Sequence, residues 1–158
     1  MKQIIIKSFL FLFLFATTNC GFKVINESEM NKFSIQEIKT SGDKRINFKI
    51  KNNLLNSAKK NNQNILLIDL STRKTKNVKE KNIKNEITKY EISLDINISF
   101  KLINSDTNYE INVSNTGEYL VADGYSTTLN NEKKLINDLI ENISEKILKK
   151  ISLILNDI

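Results

Sequence analysis

The stretch Tyr90–Leu102, "YEISLDINISFKL", decides the fold, because apolar and polar residues alternate along its whole length. The apolar members are Tyr90, Ile92, Leu94, Ile96, Ile98, Phe100 and Leu102, and the polar members are Glu91, Ser93, Asp95, Asn97, Ser99 and Lys101. A period of two is typical of a β-strand that buries one face and exposes the other. The stretch therefore predicts a long strand in a sheet with one apolar and one polar face.

A second strand follows the first after a short turn. The turn-prone "NSDTN" at 104–108 precedes a second alternation of Tyr109, Ile111 and Val113, and "SNTG" at 114–117 predicts a bulge or bend before Tyr119 and Val121. We expect the two segments to form an antiparallel hairpin. A sheet with one apolar face requires helices to cover that face.

Two amphipathic helices are predicted to cover the sheet. The stronger one fills the last thirty residues, with an N-cap at Thr128 or Asn130. Its apolar stripe consists of Leu135, Ile136, Leu139, Ile140, Ile143, Ile147, Leu148, Ile151 and Ile154. The weaker one starts near Asp43 and runs through Ile46, Ile50, Leu54 and Ala58 to the Asn-rich 61–64.

Two further strands flank the weaker helix, in "KFSIQEI" (32–38) and "NILLIDL" (64–70). The element order is therefore β-α-β-β-β-α. The expected fold is an α+β domain, a four-stranded, mostly antiparallel sheet with two helices packed on one face. No repeat or linker divides the chain, so residues 20–158 form one domain.

The first nineteen residues have the layout of an export signal. Lys2 and Lys7 precede an unbroken run of Phe and Leu from Phe9 to Phe15, and small or polar residues follow at 16–19. A transmembrane helix needs about 20 apolar residues, and this run is much shorter. Residues 1–19 are therefore interpreted as a signal peptide.

The chain has a single cysteine, Cys20, directly after this signal. A signal that ends at a cysteine resembles the bacterial lipoprotein signal, in which the cysteine is lipidated, although Thr17 and Asn19 depart from the usual residues before it. The alternative is ordinary cleavage near Thr18, which would leave a soluble periplasmic protein with a free thiol. Gly21, where an Asp would signal retention in the inner membrane, favours the outer membrane.

Composition argues against an enzyme. The chain has no His, and Cys20 is committed to lipid, so histidine bases, Cys–His nucleophiles and zinc sites lose their usual groups. No G-x-S-x-G, S-x-x-K or P-loop motif occurs. We expect no catalytic residue, metal or cofactor, and a carboxylate-based enzyme remains only the third interpretation.

Three places in the sequence resemble the LPS-assembly lipoprotein family (LptE, also called RlpB). They are the mature start Cys20-Gly21-Phe22, the segment "NEITKYEISLDINISFKL" at 85–102, and the C-terminal segment from Gly124 with Tyr125, Glu132 and Leu135. The chain lacks the Pro often found shortly after Cys-Gly-Phe in that family.

The resemblance implies a lipoprotein anchored on the periplasmic side of the outer membrane. Members of the family sit inside a large LptD-like β-barrel, plug it, assist its assembly and bind lipopolysaccharide (LPS). A polar second face of the sheet suits the polar interior of such a barrel. An ordinary solvated face would have the same composition.

Positive charge is concentrated in residues 73–89, "RKTKNVKEKNIKNEITK". The seven bases outnumber Glu80 and Glu86 and give a net charge of +5, on what we predict to be a hairpin-like connection. Clustered cations attract polyanions, and export excludes a nucleic acid, so lipid phosphates are the expected ligand. The candidate LPS-binding residues are Arg73, Lys74, Lys76, Lys79, Lys81 and Lys84. The alternative is a solvated, Lys-rich loop.

The leading hypothesis from sequence is therefore a non-catalytic subunit of an outer-membrane LPS translocon. The alternative is an accessory lipid- or solute-binding lipoprotein of an ABC-type transporter, which would act without a barrel.

Overall fold

The computed structural model describes residues 33–59 and 62–157. The predicted signal peptide, 1–19, and Cys20 lie outside these residues. The elements are β1 (Ser34–Gly42), α1 (Lys44–Ser57), β2 (Ile65–Lys81), β3 (Ile87–Leu102), β4 (Asn108–Leu120) and α2 (Tyr125–Asn156). This is the predicted β-α-β-β-β-α order.

The four strands form one sheet in the order β1-β2-β3-β4. β1 pairs with β2 in parallel, and the β2–β3 and β3–β4 pairs are antiparallel. A parallel pair needs a crossover connection, which α1 supplies between β1 and β2. The predicted α+β class and the mostly antiparallel sheet are confirmed.

The core lies between one face of the sheet and the two helices. Ile92, Leu94, Ile96, Ile98 and Phe100 of β3 are all buried, as their alternation predicts. The other core residues come from every element of the fold: Ile38, Ile46, Ile50, Leu54, Leu66, Ile68, Leu70, Ile111, Val113, Tyr119, Leu139, Ile140, Ile143, Ile147 and Ile151, with Phe33 just before β1. We call this side of the sheet the helix face and the other side the polar face.

A polar junction joins β1, α1 and β2. The Asp43 carboxylate caps α1 by accepting hydrogen bonds from the backbone N–H groups of Arg45 and Ile46. The buried Asn47 donates to the Ser41 carbonyl at 2.8 Å and accepts from the Thr72 hydroxyl at 2.9 Å. The interior of this junction therefore keeps its polar groups hydrogen-bonded.

The predicted bulge at 114–117 is wrong, because β4 pairs with β3 through this stretch without a shift of register. Gly117 has another reason to be a glycine. A Cβ there would lie 2.5 Å from Leu135 Cδ1, so the missing side chain lets α2 approach the strand closely.

The N-terminus of α2 also differs from the prediction. The helix begins at Tyr125 with Gly124 as its N-cap, several residues before Thr128 and Asn130. The Thr128 hydroxyl instead hydrogen-bonds the N–H and the carbonyl of Ala122 from inside the first turn. No helix in the described part of the chain is long and apolar enough to cross a membrane.

Candidate functional site

The basic segment 73–89 is a β-hairpin, which we call the basic hairpin. β2 does not end at Leu70 but runs to Lys81, and its second half pairs with β3 as far as the Lys81–Ile87 pair. The hairpin shape agrees with the predicted hairpin-like connection, but the strand was expected to end at Leu70. Backbone pairing, and not apolar alternation, extends β2 through its charged half. The cations therefore occupy fixed positions on strands.

Asn82 organises the turn of the basic hairpin. Its side-chain oxygen accepts hydrogen bonds from the N–H groups of Lys84 and Glu86, and its own N–H donates to the Glu86 carbonyl. Asn85 has a φ of 64°, a left-handed conformation that Asn tolerates better than most residues. The turn is therefore closed by its own polar groups.

Strand alternation distributes the six candidate cations over two faces and a tip. Lys74 and Lys76 share the helix face with Thr72, whereas Arg73 and Lys79 lie on the polar face. Lys81 and Lys84 lie at the tip. The six cations are adjacent in sequence but do not form one surface patch.

Lys76 forms an ion pair with Glu132 of α2. Its ammonium group lies 2.7 Å from Glu132 Oε2 and 4.2 Å from the centre of the Tyr90 ring. The Tyr119 hydroxyl donates to the same carboxylate at 2.8 Å, and the Tyr90 and Tyr119 rings stack at 5.6 Å. This cluster attaches the first turns of α2 to the basic hairpin.

The electrostatics of the Lys76–Glu132 pair follow from this geometry. Burial alone would raise the pKa of Glu132, but hydrogen bonds from Lys76 and Tyr119 outweigh it and hold that pKa below its usual value. Burial alone would lower the pKa of Lys76, but its bonds to Glu132 and Tyr119 raise it. Both groups are therefore stabilised in their charged forms.

Lys79 is also paired, on the polar face. It lies 2.9 Å from Glu91 and 3.4 Å from Glu118, while Lys89 lies 3.0 Å from Glu80 and 3.6 Å from Glu118. The pKa of Lys79 is raised, first by its hydrogen bond to Glu91, and the pKa of Lys89 is raised, first by its bond to Glu80. These acids offset the charge of Lys79, so this cation is less available to an anionic ligand than the sequence indicated.

The tip combines cations with an exposed apolar side chain. Lys81 donates to the Asn85 side chain at 3.0 Å, and Lys84 has no carboxylate within 4.0 Å in the described part of the chain. Ile83, between them, is fully exposed at 103%. Ile83 was not among the predicted site residues, although an isoleucine inside a turn between two charged strands was the available signal.

The polar face carries the predicted alternate residues of β3, matched by those of its neighbours. Two rows cross all four strands: Ser41–Ser71–Asn97–Asn112 and Lys39–Asp69–Ser99–Glu110. In another row, the paired Ser93 and Thr116 hydrogen-bond at 2.9 Å. The face therefore offers hydroxyls, amides and charges of both signs over the width of the sheet.

The fold of this chain is similar to solved structures of bacterial lipoproteins. The rare lipoprotein B from Shewanella oneidensis aligns with a TM-score of 0.61 and 13% identity over 80% of this chain and 98% of that one. Lipoprotein B from Nitrosomonas europaea aligns with a TM-score of 0.57 and 14% identity over 86% and 93%. The chain therefore has the fold seen in the rare lipoprotein B structure.

Sequence comparison gives no further match. No protein-family model matches the chain, and no curated protein matches it. At 13–14% identity the likeness concerns the fold, which agrees with the resemblance stated from the sequence.

Proposed function

We propose that this chain is an outer-membrane lipoprotein subunit of an LPS translocon. In this role it plugs a large β-barrel, assists the assembly of that barrel and binds LPS on its way to the cell surface. The shared fold of a rare lipoprotein B supports the family assignment. The proposal includes a lipid anchor at Cys20 and a location on the periplasmic side of the outer membrane.

The observation that carries the proposal is the contrast between the two faces of the sheet. The helix face is covered by α1 and α2, while the Ser71–Asn97–Asn112 row and its neighbours leave the polar face open. The lumen of a large outer-membrane barrel is polar, so such a face can exchange hydrogen bonds with it. Mixed charges on both partners would also set the orientation of the plug.

Copurification tests the proposal. A tagged chain is extracted in mild detergent, and the copurifying proteins are identified and quantified by mass spectrometry. We expect a large β-barrel in stoichiometric amount. Recovery of only inner-membrane ATPase components would contradict the proposal and favour the transporter alternative.

A matched pair of variants ties the result to the polar face. Asn97 is exposed on that face, and Asn142 is exposed on the outer side of α2. Asn97→Trp should reduce recovery of the barrel, because a bulky side chain prevents close docking, whereas Asn142→Trp should not. Equal recovery with both variants would mean that the polar face is not the docking face.

A further inference from the structure

A cleft opens between α1 and α2 beside β2, with a volume of about 330 Å³. Its floor is apolar and is formed by Ile46 of α1 and by Leu129, Ile136 and Ile140 of α2. Arg45 and Lys49 of α1, Lys74 of β2 and Lys133 of α2 stand around it. We call this site the helix cleft.

The two acids of the helix cleft are already engaged. Asp43 accepts two backbone N–H groups at the start of α1, and Glu132 accepts from Lys76 and Tyr119. Neither acid makes an ion pair with a cation of the cleft.

The four cations, in contrast, have no carboxylate within 4.0 Å in residues 33–59 and 62–157. Lys49 donates a hydrogen bond to the neutral side-chain oxygen of Asn137 on the facing helix. The lining of the cleft therefore carries four cations against two acids, a net charge of +2, around an apolar floor.

We propose that the helix cleft binds the phosphate-bearing head of an anionic amphiphile, with the first carbons of its chain on the isoleucine floor. A phosphate monoester carries a charge of about −1.5 to −2 and several acceptor oxygens, which lysine and arginine donors match. The volume falls at the lower end of the roughly 300–1,000 Å³ range of small-molecule sites, so the cleft holds a head group and a short chain segment.

The inference rests on the lipid handling in the proposed function, but not on the barrel partner. Of the six cations selected from sequence, Lys74 alone lines this cleft, where it joins three cations from the two helices. Copurification of a barrel can therefore fail while the cleft still binds a phosphate amphiphile. Equally, a barrel can copurify while the cleft fails to bind one, so the two experiments test the two proposals separately.

Titration with n-octyl phosphate tests the proposal. The chain from residue 20 onward, carrying Cys20→Ser, contains the whole core described above and is labelled with ¹⁵N for amide NMR. Octyl phosphate should shift the amide signals of residues around Arg45, Lys74 and Lys133. Octyl glucoside has the chain without the charge, inorganic phosphate has the charge without the chain, and both should bind at least tenfold more weakly.

The variant Arg45→Gln/Lys74→Gln should bind octyl phosphate at least tenfold more weakly. Lys149→Gln/Lys150→Gln removes the same charge from the far half of α2 and should bind as the unaltered chain does. Equal binding by both double variants, amide shifts elsewhere than the cleft, or equal affinity for octyl glucoside or inorganic phosphate would overturn the proposal.

Discussion

Gly42 shows how a single residue without a side chain shapes the start of the fold. It is the last residue of β1, just before α1, and has a φ of 91°, in the left-handed region that L-residues rarely adopt. A Cβ at this position would lie 1.9 Å from the carbonyl oxygen of Thr72 on the neighbouring strand. Both the backbone conformation and the close packing therefore require glycine.

Gly42→Ala should lower the free energy of unfolding by at least ~2 kcal/mol, because the cost of the strained backbone and the cost of the clash with Thr72 add to each other. Chemical denaturation followed by circular dichroism measures the loss. Gly124→Ala is the control, because its Cβ would meet nothing closer than Thr127 Oγ1 at 3.4 Å. We expect a loss below about 1 kcal/mol there, and equal losses in the two variants would show that the junction tolerates a side chain.

Two adjacent residues of β3 test which face is buried. Ile96 is 1% exposed, and Asn97 is exposed on the polar face. Ile96→Asp buries an unpaired carboxylate and should lower the free energy of unfolding by several kcal/mol. Since a domain is typically stable by only about 5–15 kcal/mol, this loss should unfold it. Asn97→Asp should melt close to the unaltered chain, and equal melting temperatures by circular dichroism would contradict this facing of the strand.

At the scale of elements, the sequence correctly predicts the strand and helix positions that the spacing of apolar residues marks. The alternation of Tyr90–Leu102 predicts β3 and its buried face, and Asp43 marks the start of α1 correctly. The length of β2 was missed because its second half is held by pairing with β3 and carries almost no apolar signal. Pairing partners are distant in sequence, so a local pattern does not reveal them.

The candidate site was predictable only in part, for a related reason. Sequence groups Lys74, Lys76 and Lys79 as one basic run, but the pleat places Lys79 on the opposite face from the other two. The partners of these lysines, Glu132 and Glu118, lie on other elements. Charge composition indicates a basic region, and only tertiary structure shows which charges remain available.

The Lys76–Glu132 pair should make the stability of the domain depend on pH in acid. Because folding lowers the pKa of Glu132 from 4.5, its contribution is complete above about pH 4.5 and is lost as pH falls through the lower folded value. Glu132→Gln should therefore lower stability near neutral pH by about 1 kcal/mol or less, since both side chains are partly solvated.

Denaturation of this variant and the unaltered chain between pH 7 and pH 3 measures the effect, and the difference should shrink towards pH 3. Glu145→Gln, on the exposed side of the same helix, is the control. A difference that stays constant with pH would show that the carboxylate charge does not contribute.

Neither Lys81 nor Lys84, at the tip of the basic hairpin, has a carboxylate within 4.0 Å among the described residues, so the tip should contribute to LPS capture. Lys81→Gln/Lys84→Gln should weaken capture, with a loss of about 1 kcal/mol of binding free energy for each lysine. Capture should also decrease as the salt concentration rises. Lys149→Gln/Lys150→Gln is the matched control. Capture by the two variants and the unaltered chain is measured over a salt series, and equal capture by all three, or no salt dependence, would make the tip a solvated turn.

At the scale of the whole molecule, the strands place the start of the described chain and the basic tip at opposite ends. Phe33 lies beside the first residues of β2, and Lys81 ends that strand 16 residues later. At about 3.3 Å per residue, the two ends are roughly 50 Å apart. The described chain therefore begins at the opposite end of β2 from the basic tip.

The anchor itself is testable. Cys20→Ser should release the chain from membranes unless a partner retains it, because a diacyl or triacyl anchor binds a membrane far more strongly than a single chain. Membrane fractionation measures the release, and feeding cells an alkyne fatty acid labels the unaltered chain. Absence of label on the unaltered chain would contradict lipidation.

The parallel pairing of β1 with β2 has a mechanical consequence. A pull on Phe33 along β1 and an opposing pull on the hairpin tip along β2 would load the pairs from Ser34–Ile65 to Gly42–Thr72 in shear. In shear the hydrogen bonds of a ladder bear force together, whereas in peeling they break one after another. The parallel direction of this pair therefore places tension between Phe33 and the hairpin tip on the whole β1–β2 ladder at once.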